Sequence, residues 1–345
     1  MTRPLGSGND NHVNLMQKKI ASTPDAAASR KLGRLGDYLA IMRLDHSAKH
    51  VFILPGVVLA YLLRGHVVHV HLTPIALGVL TAACIASANY VINEWLDRES
   101  DKDHPTKYKR AAVQRELSGN IIWLQWAGLT TLGLLSAMLA NKVMLLVAMV
   151  FGLQGIVYNV RPMRTKDKPY LDVISESINN PLRLMIGWAM IDSGTLPPSS
   201  IILSYWCGGA FLMAAKRLSE YREIVGAHGK DLLVRYRASF SGYTESSLNV
   251  SCFTYGLFSS FFLAVFLIKY RIEYLLLMPI VTVLFAQYLG LAMKPGSSAQ
   301  SPEKLYHEYG LMATIAALAI TFVVATFVNM PILSQLARQQ FIEIR

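Results

Sequence analysis

Residues 74–110 read PIALGVLTAACIASANYVINEWLDRESDKDHPTKYKR and decide the fold, because they join a long apolar run to a cluster of charges. The apolar part, Pro74–Leu96, is long enough for one helical crossing of a bilayer core, which takes about 17–25 residues. The charged part follows directly and begins at Asp97. This stretch therefore predicts a membrane helix that ends in polar side chains.

The composition of the whole chain also indicates a membrane protein. Of its 345 residues, 53% are hydrophobic and 16% are charged, and the mean hydropathy is +0.35. Soluble domains carry about 25% charged residues. The composition therefore argues against a soluble globular enzyme and against a disordered chain.

Nine apolar stretches run along the sequence, and we predict that each is a transmembrane helix. They are Val51–Leu63, Pro74–Leu96, Ile121–Ala140, Val143–Val160, Tyr170–Ile191, Ser199–Ala215, Leu248–Ile268, Tyr274–Met293 and Leu311–Met330. Only helices and closed barrels span lipid, and continuous apolar runs exclude the alternating pattern of a barrel. The sequence thus predicts an all-α polytopic membrane domain over residues 35–330, between a flexible cytoplasmic tail at 1–34 and a short C-terminal tail at 331–345.

Lysine and arginine residues are distributed unevenly around these stretches. The side that holds the N-terminus carries 26 of them and the opposite side carries six, while Arg183 lies inside the fifth stretch. The positive-inside rule places the N-terminus and the long charged loops in the cytoplasm. This topology accounts for the net charge of +11, so no nucleic-acid partner is predicted.

Three oxygen-bearing side chains, Asn93, Asp97 and Asp101, follow one another at four-residue intervals where the second stretch ends. A four-residue step is close to one helical turn, so the three side chains form a single polar stripe. Carboxylate and amide oxygens are suitable ligands for Mg²⁺, which often binds substrate phosphates as well. The alternative is an acidic helix end that contacts only solvent.

Basic residues come directly after the stripe. Pro105 interrupts the helix and turns back the segment that contains His104, Lys107 and Arg110. A Mg²⁺–pyrophosphate group requires such a pairing, because the metal joins carboxylate to phosphate and the cations bind the remaining oxygens. We therefore predict that Lys107 and Arg110 act in catalysis together with the two aspartates of the stripe.

The pattern Asn-x-x-x-Asp-x-x-x-Asp, followed by His-Pro-x-Lys-x-x-Arg, resembles the UbiA-type intramembrane transferases. The resemblance implies nine transmembrane helices around a central cavity, with a Mg²⁺-diphosphate site under a cytoplasmic cap. In most of the family, the donor is a prenyl diphosphate and the acceptor is an aromatic or similar ring. The resemblance also implies a location in the inner membrane of a bacterium, with the active site on the cytoplasmic side.

The second half of the chain resembles one branch of that family, the polyprenyl-phosphate (decaprenyl-phosphate) phosphoribosyltransferases. Tyr158, Arg164, Asp172 and Arg183 follow the order of that branch, although Arg164 stands where the branch has Lys. The segment Lys216–Glu220 matches its Lys-Arg-x-x-Glu motif. This resemblance implies transfer from phosphoribosyl pyrophosphate to a long-chain polyprenyl phosphate, a step in the synthesis of cell-envelope glycolipid precursors.

The residues predicted to bind substrate lie on several segments and share a charged or polar side chain. They are Lys49, His104, Tyr158, Arg164, Asp172, Arg183, Lys216, Arg217 and Glu220, and the predicted metal ligands are Asn93, Asp97 and Asp101. Cations on separate segments suit two anionic sites, as a phosphoribosyl donor with a lipid-phosphate acceptor requires. A prenyl donor with a ring acceptor needs only one.

Several alternatives stay open at this point. Arg183 could form a structural salt bridge with Asp172 or Glu176, since a charge inside a membrane helix is costly unless it is paired or has a function. Lys216 and Arg217 could extend from a helix end to the membrane surface. For the whole protein, the main alternative is a prenyltransferase of the same fold. A transporter or a scaffold has less support, because transporters place ionisable residues near the bilayer midplane. A homo-oligomer in the lipid bilayer is possible.

Overall fold

The computed structural model describes residues 31–64, 71–300 and 302–336, and it is 83% helical. Most of the predicted N-terminal tail, residues 1–30, lies outside the described residues, as do residues 337–345 of the predicted C-terminal tail. The boundaries of the two tails therefore stay predictions. The predicted all-α fold is confirmed.

The helices follow one another with short connections. In chain order they are α1 (Leu35–Ala40), α2 (Leu54–Arg64), α3 (Leu72–Asp97), α4 (Ala111–Gln114), α5 (Gly119–Ala140), α6 (Lys142–Asn159), α7 (Leu171–Ser177), α8 (Asn179–Ile191), α9 (Ser199–His228), α10 (Lys230–Tyr236), α11 (Glu245–Tyr270), α12 (Leu277–Ala292), α13 (Tyr309–Phe327) and α14 (Pro331–Leu336). Two short strands, β1 (Lys31–Leu32) and β2 (Arg115–Glu116), pair in parallel. The 3₁₀ segments are Leu44–Ile53, Ser100–Asp103, Lys107–Lys109, Thr165–Asp167, Ala238–Gly242, Ile272–Leu276, Ser298–Gln300 and Pro302–His307.

Helices cover most of every predicted apolar stretch, but not all of them are long enough to cross a membrane by themselves. Among the described residues, six helical segments have the necessary length and hydropathy. They are α3, α5, α6, α11, α13 and the segment Ile272–Ala292, which includes α12. The prediction of nine membrane-spanning helices therefore stays a prediction.

The fifth predicted stretch is divided into α7 and α8 rather than forming one helix. Pro181 explains the division, because it has no backbone N–H to donate and is tolerated in the first turn of a helix. The sixth stretch differs in the opposite way, since α9 continues from Ser199 to His228. This extension carries the predicted residues of the Lys216–Glu220 segment on a continuous helix.

Two glycines allow α2 and its preceding 3₁₀ segment to approach α8 closely. A Cβ atom at Gly187 would collide with the backbone oxygen of Ile53, and one at Gly56 would collide with the backbone oxygen of Leu184. Glycine permits such contacts because it has no side chain. The close packing places Leu44–Ile53, which carries Lys49, against the helix that carries Arg183.

The outer faces of the long helices are apolar. Leu124 on α5, Phe253 on α11 and Phe327 on α13 are 74%, 65% and 76% exposed. Large exposed apolar surfaces are unfavourable in water but suit lipid contact. Together with the six apolar helices, they identify an integral membrane protein.

Charged connections gather at one end of the helical bundle, which we call the charged end and define as residues 98–118, 160–170 and 229–244. Tyr170 and Tyr243 lie in edge-to-face contact there, with ring centroids 5.2 Å apart. The backbone N–H of Tyr170 also donates to the Tyr243 hydroxyl at 2.7 Å. These contacts join the second and third of these connections at the same end of the bundle.

Candidate active site

A cavity of about 1040 Å³ lies beneath the charged end and is lined by residues of α3, α6, α8 and α9. Its wall contains the predicted site residues Lys49, Asn93, Asp97, Asp101, His104, Lys107, Arg110, Tyr158, Arg164, Arg183, Lys216, Arg217 and Glu220. Asp172 is the one predicted site residue that does not line it. Residues that are far apart in the sequence thus meet around one chamber.

The two aspartates of the stripe lie at the end of α3 and in the turn that follows. Asp97 Oδ1 lies 2.5 Å from Lys166 Nζ and 2.9 Å from Arg164 Nη2. Asp101 Oδ2 accepts a hydrogen bond from Arg110 at 2.7 Å, while Lys107 Nζ lies 4.0 Å from Asp101 Oδ1. Each carboxylate is therefore neutralised by cations of the same cavity.

Asn93 connects the stripe to α6. Its amide nitrogen donates to Asn159 Oδ1 at 2.6 Å, and Lys166 Nζ donates to that same oxygen at 2.8 Å. Lys166 is 5% exposed, and this burial lowers the pKa of its ammonium group to about 8, although Asp97 opposes the shift. A buried cation is thus held within reach of the carboxylate that the sequence predicts as a metal ligand.

Arg164 is positioned by an unusual backbone. Its φ of +29° lies in the left-handed region, which is costly for a residue with a side chain. Its guanidinium group donates to Asp167 Oδ2 at 2.7 Å and to the backbone oxygen of Asn159 at 3.1 Å, as well as to Asp97. These three contacts hold the guanidinium group at the end of the stripe.

Arg217 occupies a second charged cluster and is only 2% exposed. Its guanidinium nitrogens lie 3.1 Å from Asp172, 3.0 Å from Glu176 and 3.5 Å from Glu220. Arg237 joins the cluster, 3.6 Å from Asp172. Three carboxylates surround Arg217, so its positive charge is already compensated by the protein.

Asp172 is placed differently from the prediction that it binds substrate. It is fully buried, with 0% exposure, and it accepts hydrogen bonds from Arg217, from Ser239 at 3.1 Å and from Tyr243 at 2.6 Å. Tyr243 and Ser239 belong to the charged end. The carboxylate of Asp172 therefore anchors that end to the helices, and it has no face toward the cavity.

His104 and Glu220 join the segment after α3 to α9. His104 Nδ1 accepts the backbone N–H of Lys107 at 3.3 Å, so the proton lies on Nε2, which faces Glu220 Oε1 at 3.4 Å. The Tyr236 hydroxyl also donates to Glu220 Oε1, at 3.1 Å. Burial lowers the pKa of His104, which favours the neutral ring that this pattern requires.

The surroundings of Arg183 decide whether it forms the structural salt bridge that the sequence left open. No carboxylate among the described residues lies within ion-pair distance of it, so the salt bridge to Asp172 or Glu176 is absent there. Its guanidinium group lies 5.2 Å from the Phe151 ring and donates to the backbone oxygen of Asn179 at 3.3 Å. Its Nε atom is buried without a hydrogen-bond partner.

Lys166, Glu176, Asn159, Tyr236 and Arg237 also line the cavity but were not among the predicted site residues. The sequence offered one signal for Lys166, which lies two residues after Arg164 in a loop with four basic residues. For the others, the neighbours that give them a role come from distant segments. Only the fold brings Arg237 beside Tyr158, whose hydroxyl accepts its hydrogen bond at 2.8 Å.

The donor set of the stripe fits a hard divalent cation. The described residues contain no group of three or more His, Cys, Asp or Glu side chains arranged to hold a metal ion. However, Lys166 and Arg164 contact Asp97 through Oδ1, and Asp97 Oδ2 accepts no hydrogen bond from any residue that the structure describes. Asn93 contributes an amide oxygen beside it on the cavity wall. Such oxygens are suitable Mg²⁺ ligands.

The comparisons with known proteins agree with this architecture. The UbiA prenyltransferase family model matches residues 52–308. A UbiA homologue from Archaeoglobus fulgidus, solved with GPP and Mg²⁺, superposes with a TM-score of 0.62 at 22% identity, covering 84% of this chain and 99% of that one. A structure described as digeranylgeranylglyceryl phosphate synthase superposes with a TM-score of 0.59 at 16% identity, covering 85% and 99%.

One curated relative adds a functional comparison. The protoheme IX farnesyltransferase of Alkalihalophilus pseudofirmus (strain ATCC BAA-2126 / JCM 17055 / OF4) is 30% identical over 173 residues, which is 48% of this chain and 54% of that protein. The chain thus matches about half the length of this relative. The relative is a prenyltransferase and not a phosphoribosyltransferase, so the predicted branch is not confirmed.

Proposed function

Since the chain belongs to the UbiA prenyltransferase family, we propose a specific reaction for it within the transferases of that type. It moves the 5-phosphoribosyl group of phosphoribosyl pyrophosphate to a long-chain polyprenyl phosphate and depends on Mg²⁺. The product would supply the synthesis of cell-envelope glycolipids. The uneven distribution of lysine and arginine supports an inner-membrane enzyme with the charged end in the cytoplasm.

The charge of the cavity wall is the observation that carries this proposal. Thirteen lysine and arginine residues but only seven aspartate and glutamate residues line it, counted among the described residues. A phosphate monoester carries about −1.5 to −2 charges at pH 7. The proposed pair of substrates brings two such monoesters and a pyrophosphate, whereas a prenyl diphosphate with an uncharged ring brings one diphosphate. The excess of cations suits the larger negative charge.

The stripe and its cations would hold the donor. Asn93, Asp97 and Asp101 are the proposed metal ligands, and a bound Mg²⁺ would stabilise the charge of the departing pyrophosphate. Lys107, Arg110 and Lys166 lie near these carboxylates and would bind the pyrophosphate oxygens. The bond between ribose C1 and the pyrophosphate oxygen breaks as a lipid-phosphate oxygen bonds to C1, and the pyrophosphate keeps the electron pair.

Donor binding would exchange the partners of these ion pairs. In the structure, Lys166 and Arg164 contact Asp97, while Arg110 contacts Asp101. With the donor bound, these carboxylates would hold the metal and the cations would bind the phosphate oxygens. Each of these paired groups would keep a partner of opposite charge after the exchange, which avoids the cost of an isolated buried charge.

The acceptor requires little activation. A lipid phosphate is already an oxyanion, so no strong general base is needed. The chain must instead exclude water, because the developing positive charge at C1 would react with it. The segment that carries His104, joined to α9 through Glu220, lies over the cavity and would limit the entry of water.

A prenyltransferase is the second candidate, and the farnesyltransferase relative is the observation that favours it. The same stripe would hold the diphosphate of a prenyl donor. The acceptor would then be an aromatic or similar ring without a phosphate. The excess of cations over carboxylates on the cavity wall would then be larger than one diphosphate requires.

A direct assay separates the two reactions. Purified protein in lipid nanodiscs receives Mg²⁺ and either labelled phosphoribosyl pyrophosphate with polyprenyl phosphate, or labelled prenyl diphosphate with aromatic acids. We expect labelled lipid only in the first mixture and its loss in Asp97→Asn, with the thermal unfolding midpoint measured to check folding. Product in the second mixture alone would identify a prenyltransferase.

A further inference from the structure

Three cations of the cavity differ from the rest, because they are buried or half-buried and no carboxylate of the described residues lies within ion-pair distance of them. They are Lys49 in the 3₁₀ segment Leu44–Ile53, Arg183 on α8 and Lys216 on α9, and we call them the inner basic cluster. The cations around the stripe and Arg217 all contact carboxylates. Lys109, Arg161 and Arg235 also line the cavity, but they are exposed.

From this cluster we infer the binding site of the acceptor: Lys49, Arg183 and Lys216 bind the phosphate group of the lipid, while the donor binds at the stripe. This inference rests on the proposed function. It divides the cavity into two anion sites of different construction. At the stripe, the cations are paired with carboxylates that would become ligands of the metal. In the inner basic cluster, no carboxylate of the described residues forms an ion pair with the cations, so they can bind an anion.

A buried donor without a partner supports an anion site at this position. Arg183 is 5% exposed, and its Nε atom is buried with no hydrogen-bond partner. An unsatisfied N–H of a buried guanidinium group is costly, and a bound phosphate oxygen would satisfy it.

The apolar residues next to these cations indicate that the anion carries a hydrocarbon chain. Lys49 and Phe52 are three residues apart in a 3₁₀ segment, so they lie on the same face and both line the cavity. Arg183 lies over the Phe151 ring. Leu212 lies one turn before Lys216 and also lines the wall. Ribose 5-phosphate is hydrophilic beyond its phosphate, whereas a lipid phosphate continues into an apolar chain.

Arg217, by contrast, does not take part in binding the lipid phosphate. It is adjacent to Lys216, but its guanidinium group is surrounded by Asp172, Glu176 and Glu220. Lys216 lies close enough to Glu176 and to Lys49 for their charges to interact, yet it forms no hydrogen bond with either among the described residues. Neighbouring cations of one helix thus have different functions: Arg217 supports the fold and Lys216 binds the ligand.

Calorimetric titrations of the full chain in detergent would test the inference. The probes are farnesyl monophosphate, farnesol, ribose 5-phosphate and inorganic pyrophosphate with Mg²⁺, applied to the wild type, Arg183→Gln and Lys216→Gln. We expect each variant to weaken farnesyl monophosphate binding at least about tenfold, as the loss of one charge-assisted hydrogen bond implies. Binding of Mg²⁺–pyrophosphate should change by less than about twofold.

Two controls separate a local effect from a loss of charge or of folding. Lys142→Gln removes one positive charge at the start of α6, away from the cavity wall, and should leave all titrations unchanged. Lys216→Arg should retain farnesyl monophosphate binding, because it keeps the charge. Unfolding midpoints check each variant, and Lys49→Gln replaces any variant that does not fold.

Three results would overturn the inference. If the variants lose ribose 5-phosphate or Mg²⁺–pyrophosphate binding and keep farnesyl monophosphate, the cluster binds the donor and the proposed reaction still stands. If farnesol binds to the wild type as tightly as its phosphate, the phosphate is not recognised. If the wild type binds prenyl diphosphate and aromatic acids but not farnesyl monophosphate, the proposed function itself fails.

Discussion

The exchange of ion pairs at Asp97 leads to a quantitative prediction about metal binding. Lys166 and Arg164 neutralise Asp97 at 2.5 and 2.9 Å, so Mg²⁺ alone must compete with them. Inorganic pyrophosphate would accept these cations and free the carboxylate. A charge-assisted hydrogen bond is worth about 1.5–3 kcal/mol. We therefore expect pyrophosphate to raise the Mg²⁺ affinity by about 10- to 100-fold, and Mg²⁺ to raise the pyrophosphate affinity equally.

Lys166→Met tests the origin of this coupling. Without the Lys166 ammonium group, Mg²⁺ alone should bind more strongly and pyrophosphate should bind more weakly. The free energy of coupling between the two ligands should therefore decrease by about the energy of one charge-assisted hydrogen bond. Mn²⁺ can replace Mg²⁺ as a probe, with free Mn²⁺ measured by electron paramagnetic resonance at increasing pyrophosphate concentrations. The matched control is Lys142→Met, which removes a positive charge outside the cavity wall.

The reasoning is refuted by either of two outcomes. One is a metal affinity in the wild type that does not depend on pyrophosphate. The other is a coupling in Lys166→Met that equals that of the wild type. Thermal unfolding of both lysine variants must be measured in parallel, since a buried charge left without its partner also reduces stability.

Three further predictions concern the framework of the site. Arg217→Met removes the cation that contacts Asp172, Glu176 and Glu220, of which Asp172 and Glu220 are buried. Because it breaks buried ion pairs, it should lower the free energy of unfolding by about 3–5 kcal/mol, and an unchanged thermal midpoint would contradict the structural role. The side chain introduced by Gly187→Leu would collide with the Ile53 backbone, so we expect the free energy of unfolding in chemical denaturation to fall by about 1–3 kcal/mol. Farnesyl monophosphate binding should also weaken, and normal binding would show that the helix contact does not position the inner basic cluster. Tyr236→Phe removes a donor to Glu220, so amide hydrogen exchange should accelerate in residues 98–110, and an unchanged rate would mean that this contact does not hold the segment.

The sequence was sufficient for the features that depend on neighbours along the chain. The stripe of Asn93, Asp97 and Asp101 needs only helical periodicity, and the structure places all three on one cavity wall. The basic segment that includes Arg110 also lies where its closeness in sequence predicts, within 2.7 Å of Asp101. Their roles in metal and substrate binding stay predictions until ligands are measured.

The partners of buried charges depend on tertiary structure and could not be inferred in the same way. Arg217 and Lys216 are adjacent and carry the same charge, so no local pattern distinguishes them. The fold surrounds Arg217 with Asp172 and Glu176 of α7 and with Glu220 of α9. Among the described residues, Lys216 has no ion-pair partner. From the sequence alone, Asp172 could either bind substrate or hold the charged end against the helices. Its 0% exposure identifies the second role.

The central claim is that the end of α3 holds a metal ion together with the diphosphate of the donor. The most direct measurement is a structure determined with Mn²⁺ and phosphoribosyl pyrophosphate, in which anomalous scattering locates the metal. We predict an anomalous peak in contact with Asp97 and Asp101, and pyrophosphate density that reaches Lys107 and Arg110. A metal bound elsewhere, or a donor outside this cavity, would contradict the account.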